Sequence, residues 1–299
     1  MSTAPLSRRL RRRAGGVLRR LGLRRPAPTS SASPASRATA VPVSAPAPAP
    51  APASAPTPRH PLPPAKYRMG GAHFQDDDAF IATAARDVRR LGELAGLTPD
   101  SRLLDWGCGA GRLAVGVREV HGRIADYHGV DVQQRLIAWA AAHLQAPGFR
   151  FTWVDLANAR YNPDGTRERT LAADPQSVDV FYAYSVYSHL LADDTAAYLG
   201  LLAEALAVGG RAWLTCFVED DVPDCEENPE GYGPLEWKGA LHCVRYDRSY
   251  FERLVREAGL SVVGFEHGQE TDGQSWYLLA RTEDVADVGM ESAALHEED

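Results

Sequence analysis

The sequence predicts a doubly wound α/β domain, because short apolar segments alternate with helical segments from Tyr67 onward. Continuous apolar strands that alternate with helices are typical of a parallel sheet covered on both faces. Each of the first apolar segments also closes with Asp, Gly or Asn, as strands do before a turn. We therefore expect a mainly parallel sheet of seven strands.

The predicted elements follow one another in a regular order. The first helix, 79–94, carries apolar residues on one face and acidic residues at its positive end. Strands are expected at 102–106, 127–130, 149–154, 178–184, 211–217, 260–265 and 276–280, and further helices at 112–120, 133–144, 195–206 and 249–258. A turn with Gly and Asp separates the last two strands, so the final strand can run antiparallel.

Composition divides the chain into a basic arm and an acidic body. Residues 1–65 hold 14 of the 21 prolines and 11 of the 32 Lys and Arg residues, with no Asp or Glu. The other 21 basic and all 39 acidic residues give 66–299 a net charge of −18. Such a body repels a phosphate backbone, so no nucleic-acid partner is expected for the folded part. We expect a disordered Pro/Ala-rich arm at 1–65, one domain at 66–281 and a disordered acidic tail at 282–299.

The sequence of the basic arm bears on where in the cell the protein is found. Residues 1–25 place apolar side chains near helical spacing among arginines, which is typical either of weak contact with an anionic membrane or of a solvated tail. No apolar run is long enough to span a bilayer or to act as a secretory signal, so a cytoplasmic location is expected. The four cysteines include no C-x-x-C pair, and no metal site is expected.

The sharpest local motif is the segment LLDWGCGAGRLA. Asp105 ends the first strand, and Gly107, Gly109 and Gly111 alternate through the turn into a helix. Glycine permits positive φ and a close approach of a ligand to the backbone, and the helix N-terminus favours an anionic group. The sixth position counted from Gly107 is Arg112, so the motif departs from the dinucleotide fingerprint G-x-G-x-x-G. A tight turn without a ligand is the alternative.

Acidic residues follow the next two strands. Asp131 closes the second strand 20 residues after Gly111, where an acid can accept hydrogen bonds from ribose hydroxyls. Asp155 and Leu156 follow the third strand, where an acid can hold an adenine amino group while the leucine packs on the ring. A surface Asp that caps the next helix is the alternative for Asp131. Together the three strand ends predict a site for an adenosine-bearing ligand.

The sequence resembles the class I S-adenosylmethionine-dependent methyltransferases over about residues 66–281. The glycine loop is similar to their first motif, and the segments AYSVYSHL and GGRAWLTCF are similar to their fourth and fifth strand regions. DLANARYNPDG with SVYSHL is similar to bacterial small-molecule and sugar-pathway members. The resemblance implies a Rossmann-like fold and S-adenosyl-L-methionine as cofactor. It assigns cofactor binding to Asp105, Gly107, Cys108, Gly109, Gly111, Asp131, Val132, Asp155, Leu156 and Tyr184.

His189 is the candidate catalytic residue. It follows the fourth strand, and an ordinary histidine pKa of about 6.5 suits a general base for a hydroxyl acceptor. A histidine that packs or caps the following turn is the alternative. The segment 218–245 is predicted to be a substrate lid, and the segment 70–74 to close over the methyl donor from the other side.

These expectations define an enzyme that transfers a methyl group from S-adenosylmethionine to a small hydroxylated acceptor, such as a sugar or natural product, with O-methylation favoured. Two alternatives stay open. One is methylation of a protein or lipid partner recruited by the basic arm, and the other is a scaffold that binds the cofactor without turnover. Family members that methylate nucleic-acid amino groups often carry a Pro-Pro-Tyr-like stretch after strand four, and Ser185-Val186-Tyr187 stands there instead.

Overall fold

Residues 60–285 are described by the computed structural model of this 299-residue chain. The disorder predicted for 1–65 and 282–299, and the membrane contact predicted for 1–25, lie wholly or mostly outside this range. The described part includes the end of the predicted arm, where Arg68 Nε donates to the carbonyl of Pro63 at 2.7 Å and Leu62 packs against the core. No helix among residues 60–285 is long and apolar enough to cross a membrane.

Five α-helices and nine β-strands make up the regular structure of residues 60–285. The helices are α1 (Asp77–Ala95), α2 (Arg112–Val120), α3 (Gln134–Leu144), α4 (Ala192–Ala205) and α5 (Arg248–Glu257). The strands are β1 (Arg102–Trp106), β2 (Asp126–Asp131), β3 (Phe149–Trp153), β4 (Val178–Ala183), β5 (Leu206–Glu219), β6 (Cys225–Glu227), β7 (Val244–Asp247), β8 (Leu260–Glu266) and β9 (Ser275–Arg281). The predicted helices and strands are confirmed within a few residues, whereas β6 and β7 were not predicted.

The sheet is doubly wound and mainly parallel, as the sequence predicts. Strands β3, β2, β1, β4 and β5 are neighbours in that order and run parallel. Strand β9 pairs antiparallel with β5, and β8 pairs antiparallel with β9. The additional pair, β6 and β7, joins the end of β5 at Phe217–Glu219. Because the strand order reverses between β1 and β4, the carboxyl ends of these strands border a crevice, where open α/β sheets bind ligands.

Two apolar layers cover the sheet, because alternate residues of each strand point to opposite faces. Leu103 packs with the buried faces of α1, α2 and α3, whereas Leu104 packs with α4 and α5. Helix α1 begins where the Asp76 carboxylate accepts the backbone N–H of Ala79 at 2.8 Å, and it ends at Gly96 in the left-handed region. These caps fix the ends of the helix that packs against α2.

The contact between α1 and α2 requires a glycine. A Cβ at Gly116 of α2 would lie 2.4 Å from the backbone oxygen of Ala84, whereas a Cβ at Gly92 of α1 would meet nothing closer than 3.5 Å. We therefore expect Gly116→Ala to lower the free energy of unfolding by about 1–3 kcal/mol through overpacking. The control, Gly92→Ala, should raise it by about 0.5–1 kcal/mol, because alanine is the better helix former. Urea unfolding of both variants measures the difference, and equal values would contradict this packing.

Candidate active site

A cavity of about 630 Å³ opens at the carboxyl ends of β1, β2 and β4. Its lining comes from the glycine loop, from the residues after β2, β3 and β4, and from two segments that cover it. One cover is the 67–74 segment ahead of α1, and the other includes Leu235, Trp237 and His242 between β6 and β7. The predicted lid and donor-side segments thus both contribute walls to the same cavity.

The glycine loop is shaped by packing as well as by backbone angles. Gly107, Gly109 and Gly111 have φ values of 80°, 55° and 84°. A Cβ at Gly107 would lie 2.4 Å from the Val186 side chain, and one at Gly111 would lie 2.6 Å from that of Leu144. A Cβ at Gly109 would meet nothing closer than 4.0 Å, and this residue lines the cavity. The middle glycine therefore leaves room where a ligand can approach the backbone.

Asp131 holds this loop against the end of β2. Its carboxylate accepts the backbone N–H of Gly109 at 2.8 Å and that of Gln133 at 2.7 Å. The side chain is buried and lines the cavity, and burial raises its pKa although the backbone hydrogen bonds oppose this shift. Each oxygen keeps lone pairs for a further donor. The structure thus places Asp131 where a ribose hydroxyl can donate to it.

Two further predicted residues are buried beside the loop. Asp105 accepts a hydrogen bond from the Tyr127 hydroxyl, and burial raises its pKa to about 7. Burial likewise raises the pKa of the Cys108 thiol, which packs beneath the loop near Gly129. Both residues line the cavity. Burial disfavours the charged form of both groups, so the Cys108 thiol is neutral and Asp105 is only partly ionised near pH 7.

The remaining predicted cofactor residues divide into two groups. Val132, Leu156 and Tyr184 line the cavity, and Leu156 is buried. Asp155 does not line it, because its exposed carboxylate accepts a hydrogen bond from the Asn162 side chain at 3.0 Å. Side chains alternate in extended backbone, so the burial of Leu156 turns Asp155 outward. The adenine contact predicted for Asp155 is not supported by this geometry.

His189 faces the cavity from the short turn Tyr187–His189 that follows β4. Its Nδ1 lies 2.7 Å from the Leu241 carbonyl oxygen, and its Nε2 lies 3.2 Å from the Tyr161 hydroxyl. Because a carbonyl only accepts, the proton is assigned to Nδ1, and Nε2 accepts from Tyr161. Burial lowers the pKa of His189 to about 4. The imidazole is therefore neutral at pH 7 with its lone pair on Nε2.

The backbone around His189 is strained at two places. Ser185 and Leu241 have φ values of 56° and 50°, a region that residues with side chains rarely adopt. The N–H of Ser185 donates to the Thr215 hydroxyl, and the N–H of Leu241 donates to the Glu227 carboxylate. These bonds hold the strained conformation that directs the Leu241 carbonyl at the imidazole. Backbone strain of this kind clusters at functional sites.

Arg112 and Tyr161 also belong to the site, although the sequence reasoning did not select them. Arg112 Nη2 donates to the Asp87 carboxylate and to the Tyr182 hydroxyl, each at 2.7 Å. Its Nη1 is buried without a partner among residues 60–285, and the residue lines the cavity. The only sequence signal was an arginine directly after the third glycine of the loop. Its partners come from α1 and β4, which only the folded chain brings together.

Comparison with known proteins agrees with this architecture. Residues 104–212 match a family model described as a methyltransferase domain. The ribosomal protein L11 methyltransferase of Thermus thermophilus is 30% identical over 170 residues, which are 56% of this chain and 56% of that protein. The chain thus spans little more than half the length of this curated relative.

Solved structures that are similar to this chain share less sequence with it. A [4+2]-cyclase, SpnF, is similar with a TM-score of 0.50 and 17% identity over 72% of this chain and 85% of that one. A Leishmania major S-adenosylmethionine-dependent methyltransferase gives a TM-score of 0.49 and 16% identity over 69% and 74% of the two chains. The matched domain at residues 104–212 and the strand-end site agree with the resemblance of this chain to class I S-adenosylmethionine-dependent methyltransferases.

Proposed function

We propose that this protein transfers a methyl group from S-adenosylmethionine to a hydroxyl of a small acceptor. The observation that carries this proposal is a single cavity that contains both the glycine loop with Asp131 and the hydrogen-bonded pair of Tyr161 and His189. The first half fits a nucleoside with an attached amino acid, and the second half offers a neutral base. Both halves are needed for the transfer, because donor and acceptor must meet in line.

The residues of the first half fit the cofactor of the family. Asp131 has free lone pairs for the ribose hydroxyls, and Gly109 leaves the loop backbone open. The unpartnered Nη1 of Arg112 fits the methionine carboxylate, since a charge-assisted hydrogen bond would satisfy this buried donor. When bound, S-adenosylmethionine supplies a methyl group already activated on a sulfonium. The protein then has to orient the acceptor, exclude water and take up one proton.

The second half of the cavity can take that proton. As the acceptor oxygen formed its bond to the methyl carbon, the bond from that carbon to the sulfonium sulfur would break and leave the neutral thioether S-adenosylhomocysteine. The acceptor O–H bond would break in the same step, and the proton would move to Nε2 of His189. The Tyr161 hydroxyl lies against Nε2, so it either relays the proton or gives up its place to the acceptor hydroxyl. The Leu241 carbonyl fixes the tautomer and stabilises the imidazolium that forms. The acceptor needs no prior ionisation, because the methyl group is strongly electrophilic.

A protein acceptor is the second candidate. The observation in its favour is the curated relative, whose name gives a ribosomal protein as its substrate. An amine acceptor attacks as the neutral base, so it needs no proton acceptor before attack. The two candidates therefore differ in how strongly the rate depends on His189.

Asp131 provides the test of cofactor binding. We expect Asp131→Asn and Asp131→Ala to weaken S-adenosylhomocysteine binding about 10–150-fold, because a charge-assisted hydrogen bond contributes about 1.5–3 kcal/mol. Titration calorimetry measures this. The control is Asp126→Asn at the other end of β2, whose exposed carboxylate pairs with Arg150 and should leave binding unchanged. Unchanged affinity in both Asp131 variants would remove this residue from the binding site.

His189 provides the test of catalysis. We expect His189→Ala to lower kcat about 10²–10⁴-fold with a hydroxyl acceptor, while S-adenosylhomocysteine affinity changes little. His143→Ala, which removes an exposed histidine of α3, is the matched control. Single-turnover methyl transfer measures the rates. Near-equal rates for wild type and His189→Ala at pH 8 would exclude His189 as the base and favour an amine acceptor.

The lowered pKa of His189 predicts the pH profile of the wild type. A pKa of about 4 keeps the imidazole neutral through pH 5–8, so the single-turnover rate should stay flat there and fall only as pH approaches 4. If His189 had the ordinary histidine pKa of about 6.5, the enzyme would lose half its rate near that pH. A fall centred near pH 6.5 would show that His189 is more solvated in the working enzyme than in this structure.

A further inference from the structure

The loop between β3 and β4 is folded tightly against the cavity. Leu156 and Thr166 form a bridge at its base, and Asn158 and Asn162 form a second bridge within it. The Asn158 side chain also donates to the His189 carbonyl at 3.1 Å, which fixes the loop to the turn that carries the imidazole. The loop therefore presents its tip residues, Arg160 and Tyr161, beside His189 in a defined position.

Arg160 has no acidic partner among residues 60–285. It lines the cavity, and its Nε is buried without a hydrogen-bond partner in this part of the chain. Its guanidinium lies 5.4 Å from the centre of the Tyr161 ring. The other two arginines of the cavity wall differ, because Arg68 pairs with Asp77 and Arg112 pairs with Asp87. A partly buried guanidinium without a carboxylate is costly unless a ligand satisfies it.

His242 faces the same space and offers a second donor. Its Nδ1 accepts the backbone N–H of Lys238 at 3.0 Å, so its proton is assigned to Nε2. Burial, followed by the charge of Arg160, lowers the pKa of His242, and the same charge contributes to the low pKa of His189. Arg160 thus lies within electrostatic reach of both imidazoles. Two donors, one of them a fixed cation, converge beside the proposed base.

The carboxylates that line the cavity leave the positive charge of Arg160 largely uncompensated. Asp105 and Asp131 belong to the glycine-loop half, and Asp194 is paired with Arg169 at 2.7 Å. Asp272 faces His242 from the loop before β9, and burial raises the pKa of its carboxyl group. None of these four acids forms an ion pair with Arg160 in the described part of the chain. The charge of Arg160 is available to a ligand.

An apolar wall adjoins the two donors. Trp237 packs edge-on against His242 with 5.2 Å between ring centres, and against the buried Phe217 with 5.4 Å. Leu235 lines the cavity next to them with 46% of its surface exposed. A ligand in this part of the cavity meets both an aromatic and aliphatic surface and the guanidinium of Arg160. Such a pair of surfaces suits a ring or chain that carries one anionic group.

We propose that the acceptor carries a carboxylate or phosphate group, which Arg160 and Nε2 of His242 bind while the rest of the acceptor packs against Trp237. This inference rests on the proposed function, because it assigns this half of the cavity to the acceptor. A guanidinium binds the two oxygens of such a group at once. The group would anchor the acceptor with its hydroxyl near Tyr161 and His189, which makes Arg160 a residue that determines specificity.

Three small probes test the proposal in the full chain saturated with S-adenosylhomocysteine: para-hydroxybenzoate, phenyl phosphate and the neutral para-hydroxybenzyl alcohol. We expect at least one anionic probe to bind about 10-fold or more tightly than the alcohol. Arg160→Gln should abolish that preference. Arg160→Lys should keep part of it, since lysine keeps the positive charge but lacks the paired N–H donors of the guanidinium. Calorimetric titration and ligand-observed NMR measure the affinities, and the stronger anion distinguishes carboxylate from phosphate recognition.

The matched control is Arg167→Gln, which removes an exposed arginine of the same loop that does not line the cavity. It should bind every probe as the wild type does. Equal binding of anionic and neutral probes, no binding of any probe, or an equal loss in Arg160→Gln and Arg167→Gln would overturn the anionic subsite. Failure of the wild type to bind S-adenosylhomocysteine would instead overturn the proposed function. Titrations of the probes in the absence of S-adenosylhomocysteine distinguish a failure of the anionic subsite from a failure of cofactor binding.

Discussion

The carboxylate of Asp131 is the interaction on which the site depends. It accepts two backbone N–H groups, one from the glycine loop and one from the turn into α3, and so it links the carboxyl ends of β1 and β2. The N–H groups of Gly107 and Cys108 reinforce this link, since both donate to the Val130 carbonyl. A loop rich in glycine would otherwise have many conformations. Here one charged group selects the conformation and also faces the cavity.

Three buried acids near the loop are stabilised in three different ways. Burial alone would raise the pKa of Asp87, but the charges of Arg112 and Arg86 outweigh it and hold the pKa below its ordinary value. Asp105 has a tyrosine hydroxyl as its partner, and its pKa rises to about 7. Asp131 has backbone donors. The arginine partners thus outweigh burial at Asp87, whereas burial outweighs the hydrogen bonds at Asp105 and Asp131 and raises the pKa of both. The pair of Asp87 and Arg112 also ties α1 to the start of α2.

The fold itself does not fix the reaction. The [4+2]-cyclase that shares this architecture illustrates that the sheet supports chemistry other than methyl transfer. In this chain the loops after the strands and the segment between β6 and β7 contribute much of the cavity wall. In this chain those segments bring Leu241 and His242 to the cavity, one through its carbonyl and the other through its ring. The part of the cavity around His189 is therefore built from the least regular parts of the domain.

The sequence by itself predicted a doubly wound, mainly parallel sheet, and it singled out the glycine loop and Asp131, which the folded chain brings together at one cavity. Apolar periodicity is local, and the glycine loop and Asp131 each follow a strand whose position the pattern already indicates. The tertiary structure decided the rest. It turned Asp155 outward, because Leu156 takes the buried position after β3. It also set the tautomer of His189 through the carbonyl of Leu241, which is 52 residues away in the chain, and it lowered the pKa of His189 through burial. Such effects arise from burial and from partners distant in sequence, and no local pattern encodes them.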